Sequence, residues 1–183
     1  MAHPIVLILL IVLDWFSREG RDLGWQKRRK RAILSQRLVV PRIMNVDLAA
    51  QRAMDRMSRA GVDSLSESEK TLAAVWLFAA GVGNGGFAGY FRSWRSDLAL
   101  HAPSALRAIG ASHLAGIATE ANSVFGADGP PADRDARRSL VDALPESGRR
   151  TLTDLDTRYF SCEEDVDELL ESFLAATRTS TSP

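Results

Sequence analysis

Eight carboxylates fall between positions 154 and 171: Asp154, Asp156, Glu163, Glu164, Asp165, Asp167, Glu168 and Glu171. Glu164, Glu168 and Glu171 are spaced i, i+4 and i+7, one face of a helix on which neighbours stand about 5–6 Å apart. Carboxylates at that interval can engage a basic protein surface, because phosphate-like charge dominates the affinity of proteins for DNA. A second pattern, Gly81, Gly83 and Gly86, has the letters G-x-G-x-x-G of a dinucleotide site. That site needs a buried strand before the glycines and a helix N-terminus after them. Here Ser66 and Glu69 form a capping box, and Leu72, Val75, Trp76 and Ala79 repeat at helical spacing. A helix therefore precedes the glycines, and the nucleotide reading lacks its context. His3, His101 and His113 show no metal-ligand spacing, and the single Cys162 excludes an intramolecular disulfide or a Cys-rich zinc site. Neither a metal nor a cofactor is expected. Glu120, His113 and Asp97 have no recognisable catalytic spacing, which leaves an enzyme as the remote alternative.

The elements that must position these groups read as helices. Asn45 is placed to cap a first helix with Asp47 in its first turn, and Val46, Ala49, Ala53, Met57 and Ala60 form its apolar stripe up to Gly61. The Ser66 helix leads into a glycine hinge. A further helix follows, with Phe87, Tyr90, Phe91 and Trp94 on one face as core aromatics. At the hinge, Gly85 and Gly86 permit φ > 0 and Asn84 can cap the next helix. Pro103 opens a short helix that Gly110 closes, and Ser112 caps another with Leu114, Ile117, Ala118, Ala121, Val124 and Phe125 on its apolar face. After the loop from Gly126 to Asp133, a helix spans about Ala136 to Leu144, and Pro145 ends it. Leu152, Leu155 and Tyr159 mark the next. The last is expected from Ser161, boxed with Glu164, and buries Val166, Leu169, Leu170, Phe173 and Leu174. No alternating strand appears. The fold class is all-α: a compact multi-helix domain with a Gly-rich helix–helix hinge, plus an N-terminal extension.

Charge divides the chain in the same place. Residues 1–43 carry 9 Lys/Arg against 3 Asp/Glu, and residues 44–183 carry 14 against 20. The first segment holds the apolar run Ile5–Leu13, Trp15, Phe16, Trp25 and the basic block Lys27–Arg31. That run is too short to span a bilayer and lacks the flanks of a signal peptide. Two readings of it stand: a membrane-surface segment, or a start placed too far upstream, with translation beginning at Met44. The helical domain is taken as 44–183 and is expected in the cytoplasm, a reducing compartment that suits a lone cysteine.

Three segments in order resemble the bacterial DNA-mimic-protein-19-like family, largely a domain of unknown function. They are Asn84-Gly85-Gly86-Phe87 with Tyr90-Phe91; Ala105 to Ala111, which includes Ile109 and Gly110; and Leu155-Asp156 through Tyr159-Phe160 with the acidic stretch Glu163 to Leu174. The likeness covers about residues 64–176. It implies an all-helical domain without known enzymatic chemistry, whose named member presents carboxylates to a DNA-binding protein in imitation of DNA phosphates. It also implies a protein partner, a homodimer built on spare aromatic surface, and no direct nucleic-acid binding. The competing class is an immunity- or antitoxin-like adaptor that offers its acidic face to a basic cleft. First-turn acids also favour a helix dipole whatever their function, and Arg149, Arg150 and Arg158 are placed to neutralise part of the patch.

Overall fold

The computed structural model describes residues 40–179, and among them it forms seven α-helices, two 3-10 turns and no strand. The helices are α1 (Val40–Ala60), α2 (Glu67–Arg92), α3 (Ala102–Ala108), α4 (Ser112–Ser123), α5 (Arg134–Asp142), α6 (Glu146–Ser161) and α7 (Val166–Thr179). The 3-10 turns are Val62–Ser64 and Trp94–Leu98. The apolar run and basic block of the N-terminal extension lie outside the described residues.

α1 is described from Val40, five residues before Asn45. Asn45 therefore lies inside the helix instead of capping it. Asp47 does not serve the first turn either: its Oδ1 accepts the Trp76 Nε1–H at 2.9 Å and ties α1 to α2. Val46, Ala50 and Ala53 are buried, Met57 is half-buried and Ala60 is exposed, so the apolar stripe ends a turn earlier than its spacing suggests.

α2 is the central element. Its start is the expected capping box, with Ser66 Oγ accepting Glu69 N–H at 3.3 Å and Glu69 Oε2 accepting Ser66 N–H at 2.9 Å. The helix then runs through Gly81, Gly83 and Gly85 without a hinge. It breaks only at Gly86, where φ 63° and ψ −174° leave helical space. Gly85 keeps a helical conformation and faces open space, and Asn84 is exposed within the helix and caps nothing. The reason is steric and local: one residue in a glycine-only region re-aims the chain, and the others need no freedom. The re-aimed turn packs Tyr90 back against Gly81, where any Cβ would clash with the ring. α2 is long and apolar enough to cross a membrane by composition, yet Leu72 to Phe78, Val82, Phe87, Tyr90 and Phe91 bury it in the core, apart from half-buried Trp76.

Around it the aromatic rings meet edge-on, Phe78 against Tyr90 at 5.7 Å and Tyr159 at 5.8 Å, and Phe91 against Phe125 at 4.8 Å. Each buried ring of this kind stabilises the fold by about 2 kcal/mol relative to exposure. Trp94 is the exception to the expected aromatic face. Helix α2 ends at Arg92 and Ser93 caps the 3-10 turn, which leaves Trp94 42 % exposed under the Arg95 guanidinium. The Tyr90 hydroxyl is buried without a hydrogen-bond partner, and burial raises its pKa.

α3 opens with Pro103 and closes in a Schellman arrangement, Gly110 N–H to Arg107 O at 3.0 Å and Ala111 N–H to Leu106 O at 2.8 Å. α6 and α7 then pack on α2, and α4 packs on α3 and α6, with Leu114, Ile117, Leu152, Leu155 and Leu170 buried. Val166, Leu169, Phe173 and Leu174 line the same side of α7 and are partly buried against the core.

Candidate functional site

The carboxylates of residues 154–171 do not form one helical row. α6 ends at Ser161, whose hydroxyl turns back to the carbonyls of Thr157 and Arg158, and Cys162 is extended. The last helix starts only at Val166. Its cap is Asp165, whose Oδ1 accepts the N–H groups of Asp167 at 3.0 Å and Glu168 at 3.1 Å. The expected Ser161–Glu164 box is therefore absent. Glu164 is separated from the helical pair Glu168 and Glu171, so the i, i+4, i+7 row from 164 does not exist. Asp165, an Asx residue with a short side chain, outcompetes it as cap because it stands directly before the first apolar-periodic residue.

Glu164 is spent elsewhere. It is half-buried, and its Oε1 and Oε2 accept the N–H groups of His113 and Leu114, each at 2.9 Å. These are first-turn donors of α4 with no intrahelical acceptor. Ser112, the expected cap, lies inside that helix, and Ala111 at the cap position has no side-chain oxygen to offer. A carboxylate from another element takes over both donors and the helix dipole together.

Asp156 repeats this solution at the α2 break. Its Oδ1 accepts the Phe87 N–H at 2.7 Å, while a Cβ at Gly86 would stand 2.5 Å from its Oδ2. Gly86 is thus required both for its backbone conformation and to admit the carboxylate. Burial pushes the Asp156 carboxyl above the ordinary aspartate range, and the Phe87 hydrogen bond pulls in the opposite direction without cancelling that effect.

Asp154, Glu163 and Glu168 remain exposed on the surface, with Asp167 and Glu171 half-buried on α7. The arginines expected to neutralise them are engaged elsewhere. Arg149 and Arg150 pair with Glu146, and Arg158 forms a fork with Glu120, one arm at 2.9 Å, that holds the Glu120 carboxyl below the usual glutamate range. The outward carboxylates can attract cations or a basic surface. Of the groups weighed as catalytic, Asp97 is tied to Arg137 and Arg134, and Glu120 to Arg158. Among the described residues no group of three His, Cys, Asp or Glu is placed to hold a metal.

One charged centre was not legible in the spacing. Arg137 is 1 % exposed and donates to the carbonyls of Phe91 (3.1 Å), Pro131 (2.6 Å) and Ala132 (3.1 Å) and to Asp97 Oδ1 (2.8 Å). It joins the end of α2, the Pro130-Pro131 loop and the Trp94–Leu98 turn. The only sequence signal was its position one turn before Val141, on the buried face of α5. The family residues Phe87, Tyr90, Phe91, Ile109 and Gly110 belong to the core or to helix ends; Asn84 and Gly85 lie on the surface.

Searches of curated proteins and of solved structures returned no match. The family model described as DMP19-like protein matches residues 63–177, from the turn before α2 into α7. That span takes in the Gly86 break, the Asp156 and Glu164 caps and the acidic stretch, and by it the chain belongs to the DMP19-like protein family.

Proposed function

We propose that the chain is a non-enzymatic, cytoplasmic protein-binding module that presents the outward carboxylates of α6, α7 and their junction to a basic protein. In this reading the partner is a DNA-binding protein and the carboxylates stand in for phosphates, the form of action that the family resemblance implies. The observation that carries the reading is the exposure of Asp154, Glu163 and Glu168 beside arginines that are already paired with Glu120 and Glu146. An exposed group of like charge that none of these arginines pairs with can steer a basic partner.

A second reading, an immunity- or antitoxin-like adaptor, is favoured by one specific observation. Three of the eight carboxylates, Asp156, Glu164 and Asp165, are consumed as helix caps, so the eight do not make a regular ladder. An irregular set suits one shaped cleft better than a surface that accepts any duplex. A homodimer is compatible with both readings.

The test is capture from native lysate by the tagged full chain, with and without competing duplex DNA. The mimic reading expects a DNA-binding protein that duplex DNA displaces. Retention of the partner in the presence of duplex DNA would replace it with the adaptor reading, and loss of capture on neutralising the outward carboxylates is required by both. Capture that survives that neutralisation would remove both.

A further inference from the structure

We draw no further inference here: the strongest candidate, the open groove between α1 and the Trp94–Leu98 turn lined by Met54, Met57, Val62, Trp94 and Leu98, carries none because nothing in the structure shows what covers it.

Discussion

The start of α2 at Ser66 and the helix starts at Phe87 and His113 meet the same requirement by different means. Every helix N-terminus leaves backbone N–H groups without partners and a positive dipole end to satisfy. At Ser66 the answer is local, a serine and a glutamate three residues apart that cap each other reciprocally. At Phe87 the acceptor is Asp156, 69 residues away, and at His113 and Leu114 it is Glu164, 51 and 50 residues away. The local cap forms with the helix itself. The remote caps form only when α6 and its exit have docked, so they report tertiary packing and fix α6 against α2 and the 162–165 stretch against α4. The difference also sorts the acidic region. Asp154 and Asp156 are two residues apart on α6, and Glu163 and Glu164 are adjacent, yet one of each pair is outward and the other holds a helix.

Removing the remote arrangement at Gly86 should have the largest effect. Gly86→Ala places a Cβ against the Asp156 carboxylate at a backbone conformation that other residues avoid, and should cost about 3 kcal/mol in urea denaturation. A gain of about 0.4–1 kcal/mol, as an ordinary helical Gly→Ala change gives, would mean that the break is not enforced. Next, Glu164→Ala should cost about 1–2 kcal/mol by loss of a two-donor cap. Its neighbour Glu163→Ala should stay within about 0.5 kcal/mol, as exposed substitutions do. Equal costs at the two positions would erase the distinction between inward and outward acids. Ser66→Ala should cost about 1 kcal/mol, the usual worth of a local cap.

The smallest effect, and the sharpest discriminator, is the sign of the pH dependence. Glu69 is held below the ordinary glutamate range, first by the Ser66 backbone hydrogen bond. Its contribution is present above the unfolded value and is lost as pH falls through the lower folded one. Asp156 is raised by burial, so its contribution is complete below the ordinary aspartate value and lost as pH rises through the raised folded one. Urea midpoints across about pH 3–7 should therefore change in opposite senses in Glu69→Gln and Asp156→Asn relative to the parent chain. Slopes of the same sign in both would contradict the difference between the two caps.

What was legible in the sequence follows the same division between local and remote. The all-α class, the Ser66 box, the Pro103 opening, the Gly110 closure and the apolar face of α4 depend on residues within a turn or two, and spacing alone places them. The start of the last helix was misplaced because Ser161 and Glu164 satisfy the box pattern, while Asp165 competes from a better position. The Asn84 cap failed for another reason: the helix does not stop at Gly85, and the donor it would serve is met from α6. Arg137 was hidden because an arginine within a charged helix gives no sign that five donors await carbonyls and Asp97 from other segments. The acidic character of the region was plain in the sequence. Which acids face outward was not, because that depends on where α6 docks.

The division of the acids is tested most directly by native-state amide hydrogen exchange on the full chain at Phe87, His113 and Leu114. The account predicts that all three amides are protected in the parent protein. Asp156→Ala should accelerate Phe87 alone, Glu164→Ala should accelerate His113 and Leu114 alone, and Glu163→Ala should change none of them. Free exchange at these amides in the parent, or an effect of Glu163→Ala equal to that of Glu164→Ala, would contradict it.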